Sequence, residues 1–92
     1  MKFILNKKDY LEYRKGMNNT VEILDIAVYS ERNKGTGTNL LKMLENEDLG
    51  HIYAFTRESN ELAQGFYKKN GFRGTLLPNF YPDESAIVYI KS

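Results

Sequence analysis

A strand–helix–strand pattern in the middle of the chain constrains the fold more than any other feature. Residues 21–29 (VEILDIAVY) are apolar and rich in β-branched side chains, which predicts a central, well-buried strand. Leucine and methionine side chains then recur at helical spacing over residues 37–45, and residues 51–56 (HIYAFT) predict a further strand. Two strands joined by a helix pair in parallel through a right-handed crossover. The pattern therefore predicts an α/β fold.

The segment before this unit predicts a short strand and then a helix. Residues 2–5 (KFIL) indicate the strand. Asn6 is a favourable N-cap residue, so we expect a short helix that extends to Met17. The alternation of Leu11 and Tyr13 would suit a strand over the same residues, and both interpretations are open at this point.

The segment after this unit predicts a second helix and two strands. The helix begins at Ser59 or Asn60 and ends before Gly71, a residue suited to the left-handed conformation that terminates helices. Residues 72–77 and 86–90 indicate strands, joined by a loop that contains both prolines.

Length and composition exclude several classes of protein. With 92 residues the chain has room for one domain, residues 1–92. The 13 basic and 12 acidic side chains nearly balance, which argues against a nucleic-acid partner. With no cysteine and a single histidine, thiolate and multi-histidine metal sites are excluded. No apolar run approaches the ~20 residues that cross a bilayer, so we expect no membrane partner and a cytoplasmic location.

A glycine-containing loop joins the central strand to the first helix. Gly35 and Gly37 allow backbone N–H groups to point toward one place, and the helix N-terminus adds unpaired N–H groups and a positive dipole. Together they suit a pyrophosphate, although an ordinary tight loop has the same appearance. The spacing is not that of a P-loop, and Leu40 stands where a dinucleotide fingerprint needs glycine. The loop fits the pattern Arg/Gln-x-x-Gly-x-Gly/Ala, which begins at Arg32.

The second predicted helix carries another motif, Asn-x-x-Ala-x-x-Phe-Tyr-x-x-x-Gly-Phe, which begins at Asn60. At 100° per residue, Asn60, Ala63 and Tyr67 share one stripe that would face a ligand. Leu62 and Phe66 lie on a neighbouring apolar stripe that would face the sheet. On the helix alone, Tyr67 is better explained as a core residue.

The two motifs occur in this order with one predicted strand between them, and together they resemble the GNAT superfamily of N-acetyltransferases over about residues 20–76. The resemblance implies an α/β, three-layer fold with a mixed, mostly antiparallel twisted sheet flanked by helices. This fold would be reduced at the N-terminus, because only about 20 residues precede the central strand. The resemblance also implies acetyl-CoA (coenzyme A) as co-substrate, no metal, and direct attack by a primary amine of a small molecule or peptide.

The resemblance assigns roles to particular residues. Tyr67 corresponds to a tyrosine that donates a proton or hydrogen bond to the departing thiolate. Glu22 corresponds to a carboxylate that some members use as general base, and it lies four residues before Ile26, whose N–H would face the acetyl carbonyl. The implied cofactor contacts are Ile26, Ala27, Val28, Arg32, Asn33, Lys34, Gly35, Thr36, Gly37, Thr38, Asn60, Ala63, Phe66 and Tyr67.

The assignment of the general base is open between two carboxylates. Regular alternation places Glu22 and Asp25 on opposite faces of the strand, and a bulge would shift that parity. Glu22 is the first candidate and Asp25 the second. Each has an alternative role as a structural residue, in which case water takes the proton.

Two functional hypotheses follow from the sequence. The first is a minimal N-acetyltransferase, which the presence of Tyr67 favours. The second is a CoA-binding, acyl-CoA-binding or regulatory module with little turnover, which the short N-terminal region favours. That shortness leaves a sheet edge and a groove with less cover, so self-association into a homodimer is a further expectation.

Overall fold

A computed structural model describes residues 1–5, 9–28, 35–46 and 50–91 of the chain. These residues form six strands and two helices, which in chain order are β1 (Lys2–Leu5), β2 (Asp9–Lys15), β3 (Thr20–Ala27), α1 (Thr36–Glu45), β4 (His51–Arg57), α2 (Glu61–Lys69), β5 (Arg73–Leu77) and β6 (Ala86–Lys91). The helix predicted over residues 37–45 and the helix predicted to end before Gly71 are both confirmed, and so are the predicted first, central and last strands.

The strands form one mixed sheet in the order β1-β2-β3-β4-β6-β5. Neighbouring strands are antiparallel except for β3 and β4, which pair in parallel from Thr20–His51 to Ile23–Ala54. Because α1 connects these two strands, the predicted strand–helix–strand unit is confirmed, and it lies at the centre of the sheet.

Local signals set the two ends of α2. The side chain of Asn60 accepts a hydrogen bond from the N–H of Ala63 at 3.2 Å and so caps the first turn. Gly71, with a φ of +88°, follows the helix in the left-handed conformation that glycine adopts without steric penalty. Lys68 and Lys69 lie in the last turn, where their charge complements the helix dipole.

The helix predicted near the N-terminus is wrong. Residues 9–15 form β2, which pairs with β1 on one side and with β3 on the other. The side chains of Asp9, Leu11 and Tyr13 are all buried. A helix would place Asp9 and Tyr13 on one side and turn Leu11 to roughly the opposite side, so burial of all three with a period of two explains why the segment is a strand. Asn6, the predicted cap, lies outside the described residues.

One core lies between the sheet and the helices. The helix side of this core consists of Leu40, Leu41 and Leu44 of α1 and Tyr67 of α2, which pack on the same face of the sheet. The strand residues that they pack against are Leu11, Tyr13, Val21, Ile23, Ile52, Ala54 and Tyr89. Both helices flank the sheet, as the predicted α/β fold requires. A smallest dimension of 21 Å suits one sheet and one layer of helices. The mixed, mostly antiparallel sheet is confirmed.

The other sheet face is partly covered by the loop between β5 and β6. Phe80 of this loop stacks on Phe55 of β4, with ring centroids 5.1 Å apart. Glu84 attaches the loop to the start of α2, because its carboxylate accepts hydrogen bonds from the backbone N–H of Ser59 at 2.9 Å and from the guanidinium of Arg57 at 3.3 Å. These contacts hold the pair of phenylalanine rings beside the carboxyl end of β4.

Candidate functional site

β3 and β4 separate toward their carboxyl ends. Their last paired residues are Ile23 and Ala54, but β3 continues to Ala27 and β4 to Arg57. We call the opening between these unpaired strand ends the cleft. In sheets with parallel strands, ligands bind outside the carboxyl ends of the strands, where helix N-termini converge. The cleft is therefore the candidate site.

The first turn of α1 is suited to an anion. Gly35 is the N-cap residue, with a φ of +73°, and no side chain of the described residues caps the helix. The N–H groups of Thr36, Gly37 and Thr38 have no acceptor within the helix, and the turn contains no acidic residue that would repel an anion. A Cβ atom on Gly35 would meet no described atom within 4 Å. These features suit a phosphate or pyrophosphate group.

Gly37 brings this turn close to α2. A Cβ atom at Gly37 would lie 3.0 Å from Cε1 of Phe66 and 3.7 Å from Cγ2 of Val28. The missing side chain therefore lets α1 pack against α2 and against the residue that follows β3. Gly37 therefore has a packing role in addition to the predicted one, which is to let backbone N–H groups point toward a phosphate. A larger side chain at position 37 would displace Phe66.

Tyr67 projects from α2 toward the sheet. Its side chain is 5% exposed, and its ring centroid lies 5.1 Å from that of Phe72 and 5.6 Å from that of Tyr89. Burial, with a smaller contribution from the charge of Asp25, raises the pKa of Tyr67 to about 12. The structure gives the hydroxyl no hydrogen-bond partner among the residues that it describes. At neutral pH this hydroxyl is therefore protonated and available as a donor.

The orientation of α2 differs from the expected one. Leu62 is 76% exposed, so the stripe formed by Leu62 and Phe66 does not face the sheet as predicted. Tyr67 is the buried residue of this helix, with Ala63 and Phe66 packed at the edge of the core. Helical periodicity separates the two stripes, but the aromatic contacts of Tyr67 determine which of them turns toward the sheet.

A β-bulge in β3 brings two carboxylates to one face of the sheet. The β2–β3 register skips Leu24, so the residues on either side of it pair with consecutive residues of β2. Regular alternation would have separated Glu22 from Asp25. The bulge that we allowed for is present, and it places both carboxylates on the face opposite the helices.

The two carboxylates have different partners. The Tyr10 hydroxyl donates a hydrogen bond to Oδ2 of Asp25 at 2.6 Å. The Arg14 guanidinium donates to Oε1 of Glu22 at 2.5 Å, and the Glu22 side chain is only 16% exposed. Glu22 lies beside Tyr53 in the paired part of β3 and β4, whereas Asp25 lies beyond the last pair and borders the cleft.

The predicted cofactor contacts within the described residues come from three elements around the cleft. They are Ile26, Ala27 and Val28 at the end of β3, Gly35, Thr36, Gly37 and Thr38 at the start of α1, and Asn60, Ala63, Phe66 and Tyr67 on α2. Arg32, Asn33 and Lys34 lie outside the described residues. Asn60 uses its side-chain oxygen to cap α2, and its amide nitrogen remains as a donor for a ligand.

Sequence reasoning missed Tyr10 as a member of this site. The helix interpretation of its segment placed Tyr10 far from the central strand. The signal that could have found it is the alternation of Leu11 and Tyr13, because a strand that buries these residues turns Tyr10 to the other face. Its pairing with β3 then brings Tyr10 close to Asp25.

The described part of the chain has neither a metal-binding cluster nor a membrane-spanning helix. No group of three or more His, Cys, Asp or Glu side chains there could hold a metal ion. None of its helices is long and apolar enough to span a membrane.

The fold is that of an α/β protein with a candidate ligand site at the carboxyl ends of two parallel strands. A sequence model described as the acetyltransferase (GNAT) family matches residues 6–72, which is more than half of the chain. The chain therefore belongs to the acetyltransferase (GNAT) family, and the resemblance seen in the two motifs is confirmed. A search of curated proteins finds no match.

Solved structures of acetyltransferases have the same fold. Ard1 from Thermoplasma volcanium is 27% identical with a TM-score of 0.75, and the match covers 91% of this chain and 62% of that one. Naa50 from Arabidopsis thaliana is 28% identical with a TM-score of 0.70, over 92% of this chain and 65% of that one. A Bacillus anthracis protein described as a streptothricin acetyltransferase is 26% identical with a TM-score of 0.81, over 95% and 57% respectively.

The ligands of two of these structures are informative. The B. anthracis protein is in complex with acetyl coenzyme A, and Naa50 is in complex with the bisubstrate analogue CoA-Ac-MVNAL. The present chain spans less than two thirds of the length of each of the three proteins.

Proposed function

We propose that this protein binds acetyl-CoA in the cleft and transfers the acetyl group to a primary amine. The observation that carries the proposal is the presence of two kinds of hydrogen-bond donor that have no partner among the described residues. These are the N–H groups of the first turn of α1 and the hydroxyl of Tyr67. The first suits the pyrophosphate of a CoA ester, and the second suits its sulfur atom.

The chain's own residues fit such a ligand. The N–H groups of residues 36–38 would bind the pyrophosphate, assisted by the dipole of α1. Beyond Ile23, the edge of β3 no longer pairs with β4, so its backbone around Ile26 is available to the amide groups of an extended pantetheine chain. Val28 and Phe66 lie between these two regions and offer apolar contact.

The pKa of Tyr67 determines how it can assist the reaction. Bound acetyl-CoA would supply an activated acetyl thioester. A phenol with a pKa of about 12 holds its proton more strongly than a thiol, whose pKa is about 8.5. Tyr67 therefore acts mainly by donating a hydrogen bond toward sulfur as negative charge develops there, and less by releasing its proton completely.

We propose a single cofactor, acetyl-CoA, but two kinds of acceptor: a peptide amine and a small-molecule amine. The Naa50 complex supports a peptide amine, since its analogue joins CoA to the sequence MVNAL. The B. anthracis protein supports a small-molecule amine. A primary amine of either kind of acceptor would lose a proton when it attacks a thioester.

A CoA-binding module with little turnover is the second candidate. The open sheet face favours it, because the described residues offer the acceptor only the loop of Phe80 as a wall on that side. The two candidates differ in turnover and agree on cofactor binding.

Mass spectrometry separates them. The protein is incubated with acetyl-CoA and each of three acceptors: the peptide MVNAL, a peptide whose only amine is a lysine side chain, and spermidine. Catalytic acetylation of at least one acceptor, with multiple turnovers per protein, supports the enzyme. Calorimetric binding of acetyl-CoA without turnover on any acceptor supports the binding module. Absence of binding contradicts both.

A further inference from the structure

Asp25 is the carboxylate that borders the cleft. The bulge at Leu24 turns its side chain to the face opposite α1 and α2. Asp25 also lies beyond Ile23, the last residue of β3 that pairs with β4. The side chain is exposed, and Oδ1 has no partner among the described residues, because the bond from Tyr10 goes to Oδ2. One carboxylate oxygen is therefore free to meet a ligand.

Asp25 and Tyr67 approach the cleft from opposite sides. Tyr67 comes from the helix layer, and Asp25 lies on the other sheet face. The negative charge of Asp25 nevertheless contributes to the raised pKa of Tyr67, after the larger effect of burial. A thioester placed in the cleft would have a hydrogen-bond donor on its sulfur side and a carboxylate on the side from which an amine attacks.

Glu22 is less well placed for the same task. Its carboxylate is bound by Arg14 and mostly buried, and it lies beside Tyr53 where β3 and β4 are still paired. A proton acceptor must come within hydrogen-bond reach of the attacking nitrogen. Access to Glu22 would require the Arg14 ion pair to open.

We propose that Asp25, held in position by Tyr10, binds the ammonium group of the acceptor and takes its proton, an inference that rests on the proposed acetyl transfer. Asp25 Oδ1 removes one proton from the ammonium group. The nitrogen lone pair then forms the C–N bond to the acetyl carbon, and the C–S bond breaks with its electron pair on sulfur. The second nitrogen proton goes to sulfur, which Tyr67 stabilises by hydrogen bonding, and Asp25 returns its proton to solvent.

Tyr10 is a positioning residue in this scheme. Its hydroxyl fixes Oδ2 of Asp25, and the ammonium of Lys2 lies 4.4 Å from the centroid of its ring. Several titratable or charged side chains surround Asp25. The strands contribute Lys2, Tyr10, Glu12, Arg14, Glu22 and Tyr53 on the same side of the sheet, and α2 contributes Tyr67. Among them, Glu12 is the register partner of Asp25 and provides a matched carboxylate that does not border the cleft.

The test is the pH dependence of kcat/KM for MVNAL with saturating acetyl-CoA. An α-amino group has a pKa of about 7.7–8.0. The wild-type protein should use the ammonium form, so kcat/KM should change little between about pH 6 and pH 8. Asp25→Asn should use only the neutral amine, so its kcat/KM should fall nearly tenfold per pH unit below the amine pKa and be about 50-fold lower at pH 6. A flat profile in Asp25→Asn would overturn the inference.

Three further variants support the comparison. Glu12→Gln should keep the wild-type profile. Glu22→Gln should also keep the flat shape, whatever its effect on the plateau; a steep profile in Glu22→Gln with a flat one in Asp25→Asn would assign the role to Glu22. Tyr10→Phe should lower the plateau about tenfold and keep the flat shape, because the carboxylate is present but poorly positioned.

A measurement without substrate separates this inference from the proposed function. Titration of the Tyr67 phenol by ultraviolet absorbance, with Tyr67→Phe as blank, should give a lower pKa in Asp25→Asn than in the wild-type protein. An unchanged pKa would contradict the placement of Asp25 even in an active enzyme. Absence of acetyl transfer by the wild-type protein would instead refute the proposed function, and the role of Asp25 with it.

Discussion

At the scale of single residues, Tyr67 combines a core position with the proposed role of a hydrogen-bond donor. Its ring packs between Phe72 and Tyr89, while its hydroxyl has no partner in the described part of the chain. Removal of the hydroxyl therefore takes away a donor and leaves the packing intact. This separation makes Tyr67→Phe an informative substitution.

We expect Tyr67→Phe to reduce kcat about 10²-fold, within the usual range for a proton or hydrogen-bond donor in a transition state. The affinity for acetyl-CoA, measured by calorimetry, should change little, because the interaction with sulfur develops during bond breakage. Equal turnover in the two proteins would contradict the role. A loss of affinity with unchanged kcat would show that Tyr67 only binds the cofactor.

The same residue should make stability depend on alkaline pH. The folded-state pKa of Tyr67 is raised from 10 to about 12, so between these values the folded protein holds a proton that the unfolded chain releases. The free energy of unfolding should therefore fall as pH rises, by about 1 kcal/mol between pH 9 and pH 11. Urea unfolding of Tyr67→Phe should show a decrease smaller by this amount, and identical decreases would contradict the burial of the phenol.

At the scale of secondary structure, the predictions that succeeded depend on neighbours in the chain. The ends of α2 follow from Asn60 and Gly71, which act within one helical turn. The strand at residues 9–15 and the bulge at Leu24 depend on pairing between β2 and β3, which are separated by a turn and matched residue by residue. Local patterns in the sequence do not contain that register, so they left open whether Glu22 and Asp25 share a face.

The N-terminus of α1 allows a test in which stability and binding change in opposite directions. Thr36→Asp adds a negative charge to a first turn that has no acidic residue. The charge should stabilise the helix by about 0.3–1 kcal/mol through the dipole. It should also repel a pyrophosphate and weaken acetyl-CoA binding by at least ~10-fold, or ~1.4 kcal/mol. This design avoids Gly37, where a larger residue would displace Phe66.

Thr75→Asp provides the matched control for this substitution. Thr75 is an exposed residue of the edge strand β5, so the same change of side chain occurs away from α1. It should leave acetyl-CoA affinity unchanged. Equal affinities of Thr36→Asp and wild-type protein would show that the first turn of α1 does not bind the phosphates.

At the scale of the whole molecule, one sheet face carries both helices and the other carries exposed apolar side chains. Ile4, Phe80 and Ile90 are 59%, 49% and 42% exposed. Apolar surface of this kind favours association, so we expect the homodimer predicted from the sequence to use this face. Sedimentation velocity should show a dimer that Ile90→Lys dissociates. A monomer at all concentrations tested would contradict this expectation.

The central claim is that acetyl-CoA occupies the cleft between β3 and β4. A titration of the ¹⁵N-labelled protein with acetyl-CoA, followed by NMR, tests it most directly. The largest shifts should occur at the amides of residues 36–38 and 26–28 and around Tyr67, with small shifts at β1 and β5. Saturable shifts confined to other parts of the chain, or no shifts at millimolar acetyl-CoA, would contradict it.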